Sequence, residues 1–194
     1  MQNKIDFLPA EIKLLNNQEV ILQKNTLLDK VQAKLDELGK ACLKDYPQLR
    51  KVSPNCKVSK GENLKGFPFR VLDFPRLFGQ EHILAIRTLV WWGKSCTMTL
   101  HLKGKHLESS LDHLPLLDLY SKDIEYKVSW HGNEWEHDLE SNNYEPFSRE
   151  KMEQYSSAAF LKIAVALPLE QLNELDHFYR LHFKKLISLT PYGK

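Results

Sequence analysis

Residues 83–102 read ILAIRTLVWWGKSCTMTLHL, which is two β-rich segments on either side of a turn. The first, Ile83 to Trp92, is rich in β-branched and aromatic residues. The second, Thr97 to Leu102, alternates apolar and polar residues, as a half-buried strand does. Gly93-Lys94 supplies a flexible turn between them. The stretch therefore predicts an antiparallel hairpin.

Further strands and helices are predicted on both sides of this hairpin. Apolar or alternating segments predict strands over Phe67 to Phe74, Ile124 to Trp130 and Phe160 to Leu167. Apolar residues at helical spacing predict a long N-terminal helix (Ile21, Leu28, Val31, Leu35, Leu38), a C-terminal helix from Leu169 to Ile187, and short helices over His106 to Leu117 and after Ser148. Residues 51–66 are rich in Gly, Ser, Pro and Asn and predict a polar loop.

These elements predict an α+β fold. Strands joined by tight turns form a mostly antiparallel sheet of about five strands, which the long N- and C-terminal helices cover. A length of 194 residues favours a single domain over 1–194. Within it we distinguish a helical N-terminal part (1–50) from a β-rich centre with a C-terminal strand and helix (67–194).

The net charge of +2 is unevenly distributed along the chain. Residues 1–106 carry 18 Lys and Arg against 10 Asp and Glu, or +8, whereas residues 107–194 carry 9 against 15, or −6. We expect the two parts to fold against each other and to complement each other's charge. No block of five like charges provides a nucleic-acid-binding tail. Residues 65–72 resemble an RNA-binding strand only superficially, because Pro68, Arg70 and Leu72 occupy the wrong positions. We predict no nucleic-acid partner.

Cellular location is predicted from the N-terminus, the apolar runs and the cysteines. Met1 to Asp6 contains no apolar signal-peptide core. The apolar runs fall far short of the roughly 20 residues that a membrane helix needs. The three cysteines form no CxxC pair, so no disulfide framework or zinc ribbon is indicated. We expect a soluble cytoplasmic protein without a membrane partner.

The segment Trp130 to Asp138 reads WHGNEWEHD and holds the densest group of chemically active side chains. His131, Glu134 and His137 are candidates for acid–base catalysis or metal ligation, since imidazole and carboxylate serve both purposes. The two histidines are six residues apart, however, and do not share a helical face. The alternative is a turn at Gly132-Asn133, flanked by Trp130 and Trp135 as a cross-strand aromatic pair. We predict no bound metal and no cofactor.

A polar sheet face and the tryptophans give candidates for ligand binding. His101 alternates with Leu100 and Leu102, so it lies on the opposite face and could line a polar pocket near Arg87. Apolar pockets with a few polar groups are the usual small-molecule sites. The aromatic candidates for such a pocket are Trp92, Trp130 and Trp135. Trp91 and Trp92 are adjacent and point to opposite faces of their strand.

The order of elements resembles that of the YktB-like proteins, a bacterial family of small proteins. The resemblance rests on a helical N-terminus, an apolar strand pair, the Trp130-His131-Gly132 turn, and the closing strand and helix from Phe160 to Leu189. It implies a cytosolic α+β fold of unassigned function. It implies no site residues.

Three functional hypotheses remain open. We favour a module that binds a small molecule or a protein on a concave sheet face near His101, Trp130 and His131. The first alternative is a metal-dependent or acid–base enzyme centred on His131, Glu134 and His137. The second is a structural homodimer, whose interface would use the exposed member of the Trp91-Trp92 pair. The sequence contains no nucleophile, phosphate-loop or dinucleotide motif that would favour an enzyme.

Overall fold

A seven-stranded antiparallel sheet forms the centre of the computed structural model, which describes residues 5–122 and 124–193. Its strands are β1 (Lys57–Leu64), β2 (Phe67–Phe78), β3 (Ile83–Trp91), β4 (Cys96–Lys103), β5 (Lys127–Ser129), β6 (Glu145–Pro146) and β7 (Phe160–Leu167). Their order across the sheet is β1-β2-β3-β4-β7-β5-β6. Residues 1–4, which carry part of the signal-peptide prediction, lie outside the described residues.

Two long helices and four short ones accompany the sheet within the described residues. They are α1 (Pro9–Leu15), α2 (Gln18–Asp45), α3 (Lys105–Glu108), α4 (Leu116–Tyr120), α5 (Met152–Ser156) and α6 (Leu175–Ser188). Short segments of 3-10 helix occur at Pro47–Lys51, Leu111–His113, Arg149–Lys151 and Leu169–Glu174. No helix in the described part of the chain is long and apolar enough to cross a bilayer.

The hairpin predicted from residues 83–102 is confirmed. Strands β3 and β4 pair in antiparallel register from Ile83 opposite Lys103 to Val90 opposite Cys96. The turn depends on Gly93, whose φ of +71° lies in the left-handed region that glycine adopts without strain. Both strands are buried along almost their whole length, so the hairpin is central to the sheet.

One face of the sheet packs against α2 and α6 and forms the main hydrophobic core. Leu28, Val31, Leu35 and Leu38 of α2 are buried, as their spacing predicted, but Ile21 is 53% exposed. From the sheet, alternate residues of the central strands point toward these helices: Leu84, Ile86, Met98, Leu100, Leu161 and Ile163. The α+β class and the antiparallel sheet covered by terminal helices are therefore confirmed.

The sheet has seven strands where we predicted about five. One addition, β1, lies within residues 51–66, which we predicted to be a loop. It is an edge strand with a mostly polar, partly exposed sequence, so it lacks the apolar alternation by which strands are recognised. The other, β6, has only two residues. The prolines that flank the segment Phe67 to Phe74 suggested an edge strand or a strand entered late, but β2 is an interior strand, and Pro75 sits at a register shift between Asp73 and Arg76.

Other predicted elements are shorter than their sequence patterns suggested. The strand predicted over Ile124 to Trp130 is reduced to the three residues of β5. The C-terminal helix begins at Leu175, because a 3-10 turn with non-helical φ/ψ at Gln171 precedes it. The helix predicted over His106 to Leu117 is divided into short turns.

Candidate functional site

The sheet face opposite the core helices carries a group of buried polar side chains. The buried Asp73 on β2, His101 on β4 and Lys162 on β7, together with the half-buried Arg87 on β3 and His137 from a loop, form what we call the polar cluster. Strand register brings the first four together, because Asp73 is opposite Arg87 and His101 is opposite Lys162. The prediction that His101 lies on the other face from Leu100 and Leu102 is confirmed.

Asp73 and Arg87 form the strongest ion pair of the cluster. The Asp73 carboxylate accepts from Arg87 Nε at 2.8 Å and from Nη2 at 3.0 Å. This two-point geometry matches the planar guanidinium to the carboxylate. Asp73 is only 4% exposed, so its charge depends on this partner.

Residues 130–140, which we call the cover loop, place Glu134 to His137 over the polar cluster. Glu134 Oε1 is 3.1 Å from His101 Nε2, and Glu134 Oε2 accepts from Lys103 Nζ at 2.8 Å. Arg87 Nη1 lies 3.1 Å from His137 Nε2. Since guanidinium can only donate, Nε2 of His137 is the acceptor and the proton of the neutral ring is on Nδ1.

Lys162 is the most deeply buried cation of the chain's described part. It is 1% exposed, and its ammonium group donates to the backbone carbonyl of Glu136 in the cover loop. Tyr144 Oη donates to the same carbonyl at 3.1 Å. The Lys162 Nζ also lies 5.1 Å from the centre of the Tyr144 ring, where a cation is attracted to the π face.

Burial and neighbouring cations make the polar cluster resist protonation. Desolvation, together with the charges of Lys162 and Arg87, lowers the pKa of His101 and of His137 to about 3. Burial and the charge of Arg87 lower the pKa of Lys162 to about 7. Both imidazoles are therefore neutral at physiological pH, and the Lys162 amine is partly protonated near neutral pH.

The cover loop is held down by lysines at the tips of two hairpins. Glu136 Oε1 accepts from the backbone amides of His137 and Asp138, both at 2.8 Å, and from Lys65 Nζ at 2.9 Å. Asp138 accepts from Lys94 Nζ at 3.3 Å. Lys65 belongs to the β1–β2 turn and Lys94 to the β3–β4 turn, so the loop depends on both hairpins for its position.

Beneath the cover loop the polar cluster is nearly closed. The space among Arg87, His101, His137 and Lys162 has a volume of about 10 Å³, which is room for about one water molecule. No group of three or more His, Cys, Asp or Glu residues in the described ranges is arranged to hold a metal ion.

A larger cleft adjoins the cluster on the other side of the cover loop. Its volume is about 700 Å³, and it lies between residues 137–140, β5 and the start of α6. Its floor is apolar and is formed by Ala164, Val165, Ala166 and Leu167 of β7 with Phe178 and Leu181 of α6. His137 borders both the cleft and the small cavity, so it forms the wall between them.

Carboxylates predominate among the charged groups of the cleft. Its lysines, Lys94 and Lys127, already bind the cover loop, through Asp138 and through the Leu139 carbonyl at 3.2 Å. The carboxylates are those of Glu125, Asp138, Glu140 and Glu174. Two cations against four anions give −2 when the histidines are counted as neutral.

His182 lies at the inner end of the cleft. Its Nδ1 shares a hydrogen bond of 2.9 Å with Tyr126 Oη. Burial lowers the pKa of His182 to about 4, and burial raises the pKa of Tyr126. The pair is therefore neutral and adds a polar, uncharged group to the apolar floor.

The structure brings five of the predicted site residues together. Arg87, His101, Glu134 and His137 form the hydrogen-bonded network, and the half-exposed Trp135 stacks edge-on against His101 at 5.6 Å. The postulated pairing of Trp135 with Trp130 does not form.

The other predicted residues lie elsewhere. His131 is exposed and contacts the Trp130 ring edge-on at 4.9 Å. Trp130 points toward Tyr155 and donates to Glu145 Oε1 at 2.9 Å. Trp92 is half-buried in the hairpin turn, where its amide donates to Pro68 O at 3.0 Å. The concave face near His101 is covered by the loop and is not open beside Trp130 and His131.

Sequence reasoning missed Asp73, Lys162 and the whole cleft. A signal for the two charged residues was present, because each interrupts an apolar strand: Asp73 follows Val71-Leu72, and Lys162 lies between Leu161 and Ile163. A charge at such a position is paired or functional. The cleft has no comparable signal, since its lining comes from distant parts of the chain.

Comparison with protein-family models, with curated protein sequences and with solved structures finds no match to this chain.

Proposed function

We propose that the protein binds a small molecule in the cleft between the cover loop and α6. The carrying observation is the cleft itself, whose volume of about 700 Å³ lies within the 300–1,000 Å³ that is typical of small-molecule sites. It combines an apolar floor with charged groups around its rim. In small-molecule sites the apolar lining usually provides most of the affinity, and a few polar groups fix the orientation of the ligand.

The charged groups favour a ligand that carries an amine. Glu125, Glu140 and Glu174 line the cleft without an ion pair among the described residues, whereas Lys94 and Lys127 have protein partners. An ammonium group would complete the coordination of these carboxylates. The apolar part of the ligand would lie on Ala164, Ala166 and Leu181.

Calorimetric titration and thermal unfolding with matched probes test this proposal. Phenethylamine and phenylpropionate present similar carbon skeletons, and we expect the amine to bind and to raise the melting temperature more. At about 100 times the Kd, the free energy of unfolding should rise by about 2.7 kcal/mol. Equal effects of amine and carboxylate, or no binding of either at millimolar concentration, would contradict the proposal.

Replacement of either of two alanines by phenylalanine shows where the ligand binds. Ala166→Phe fills the cleft from its floor, and since Ala166 is exposed the fold should tolerate the larger side chain. Ala159→Phe makes the same change at an exposed position that does not line the cleft. We expect only Ala166→Phe to abolish binding, and binding that survives it places the ligand elsewhere.

A second candidate function is acid–base catalysis on the bound molecule. It is favoured by the position of His137 between the cleft and Lys162, because an amine with a pKa of about 7 is suited to proton transfer near neutral pH and the neutral imidazole of His137 can hydrogen-bond to a molecule in the cleft. This candidate uses His137 and Glu134 of the predicted set and replaces His131 with His101. A bound molecule that is recovered chemically unchanged after long incubation would contradict it.

A further inference from the structure

Residues 5–27 form an arm that is almost entirely exposed. The arm contains α1 and the first ten residues of α2, and each of its residues except Lys24 is exposed. Burial of α2 against the sheet begins only at Leu28. At 1.5 Å per residue, the exposed part of α2 extends about 15 Å before the helix reaches the domain core.

The surface of the arm is unusually apolar. Ten large apolar side chains on it are between 43% and 84% exposed: Ile5, Phe7, Leu8, Ile12, Leu14, Leu15, Val20, Ile21, Leu22 and Leu27. Together they present on the order of 1,000 Å² of apolar area, whereas contiguous apolar patches on monomers rarely exceed a few hundred Å². A helix with apolar residues around its circumference is normally buried.

Helix α1 cannot be stable by itself. It has seven residues, none of them buried, and isolated helices shorter than about 12 residues are marginal in water. Its start is locally favoured, because Pro9 is in the first turn and Glu11 accepts from the Leu8 amide at 2.7 Å. These local contacts do not replace packing, so α1 requires a partner surface.

We propose that the arm packs against the arm of a second copy of this chain to form a homodimer. An area on the order of 1,000 Å² per copy matches the roughly 800 Å² per partner of a standard stable interface. Because α1 needs a partner at all times, a second copy of the chain is the best candidate, since it is available wherever the protein is present. A two-fold arrangement pairs the same apolar surface on both copies.

The charges of the arm disfavour a lipid surface as its partner. Lys13 and Lys24 stand against Asp6, Glu11 and Glu19, which gives a net charge of −1. Helices that lie on membranes carry many Lys and Arg residues on their polar face, because anionic lipids attract them. The arm lacks this feature.

This interface differs from the one that the tryptophans suggested. Trp91 is 2% exposed and packs in its own chain against Val71 and Leu89, while its Nε1 donates to Leu64 O at 3.1 Å. The more exposed member of the pair is therefore Trp92, which is half-buried in the hairpin turn and lies outside the arm.

Light scattering during size-exclusion chromatography of the full chain tests the proposal. At about 50 μM we expect about 45 kDa, twice the chain mass of 22.7 kDa. The double variant Leu15→Glu with Leu22→Glu should elute at the monomer mass. Both residues are exposed, so urea unfolding of the variant should show the fold retained.

The control variant, Gln18→Glu with Asn25→Glu, adds the same two negative charges to exposed positions of the arm without removing apolar surface. It should remain a dimer. A monomeric wild-type protein at 50 μM, or a dimer that survives Leu15→Glu with Leu22→Glu, would overturn the proposal. So would sedimentation of the wild-type chain with phosphatidylcholine and phosphatidylserine vesicles, which would make the arm a lipid-binding element.

Discussion

At the scale of single residues, the balance of charge in the polar cluster depends on Asp73. Arg87 and Lys162 are both cationic or partly so, and the two histidines are neutral, so Asp73 is the carboxylate on the sheet that offsets them. A buried ion pair contributes little net stability compared with apolar packing, but the loss of one partner leaves the other uncompensated.

Asp73→Asn should therefore lower the free energy of unfolding by about 2–3 kcal/mol, slightly less than for a fully buried pair because Arg87 is partly exposed. The matched control is Asp45→Asn, which removes the carboxylate of the exposed Asp45–Arg180 pair at 3.4 Å. Urea unfolding measures both variants. A loss at Asp73 no larger than at Asp45 would contradict the importance of this pair.

Polar residues of the strands could be assigned to a face from sequence, but their partners could not. Alternation in β4 was enough to place His101 on the polar face near Arg87. It could not show that His101 would meet Glu134, because that contact depends on how the cover loop crosses the sheet. His131 and His137 were grouped by proximity in sequence, yet the turn at Gly132, with a φ of +71°, sends only His137 to the cluster.

At the scale of elements, the cover loop has weak attachments on its outer side and buried ones toward the sheet. Its lysine anchors, Lys65 and Lys94, are 48% and 33% exposed, and ion pairs this exposed contribute about 0–1 kcal/mol each. Loss of these anchors frees only the outer side of the loop, whereas full opening also breaks the buried contacts of the Glu136 carbonyl with Lys162 and of His137 with Arg87. Such opening is what would give a molecule in the cleft access to Lys162.

Replacement of both anchors, Lys65→Met with Lys94→Met, should increase the rate of amide hydrogen exchange at His137 and Asp138 and leave global stability nearly unchanged. These amides donate to Glu136, which Lys65 helps to hold. Lys60→Met, at an exposed position of β1, is the control. Unchanged exchange in the double variant would show that the lysines do not secure the loop.

The elements that sequence predicted best are those with a regular apolar pattern. The β3–β4 hairpin, β7 and the buried part of α2 each bury a periodic set of side chains, so their patterns are visible without tertiary information. Strand β1 and the short β5 owe their existence to pairing with a neighbouring strand. No property of the isolated segment indicates that neighbour. The cleft is harder still to predict from sequence, because it exists only once β5, β7 and α6 have packed together.

At the scale of the whole molecule, buried neutral histidines make stability depend on pH. The pKa of His101 and of His137 is about 3 in the folded protein, against about 6.5 for an unfolded histidine. Between these values the unfolded chain binds protons that the folded chain does not. The free energy of unfolding is therefore highest above pH 6.5 and falls as the pH is lowered toward 3.

Each of the two histidines should contribute a slope of up to about 1.4 kcal/mol per pH unit. The window from pH 6.5 to 4.5 is the most informative, because most carboxylates are still ionised there. His137→Gln keeps an acceptor for Arg87 and should flatten the slope in this window, whereas His131→Gln, at an exposed side chain, should not. Urea unfolding at several pH values gives the comparison, and a slope unaltered by His137→Gln would contradict it.

The polar character that hid β1 in the sequence also protects the sheet. An open edge strand is a template on which further chains can add by backbone pairing, the first step toward amyloid-like aggregation. Here the edge carries Lys57 and Lys60, and the register with β2 shifts between Gly61 and Leu64. Charge and irregular pairing both oppose such addition, so the sheet cannot readily grow at this side. Open-ended association through β1 is therefore disfavoured, in contrast to a closed two-fold interface of the kind proposed for the arm.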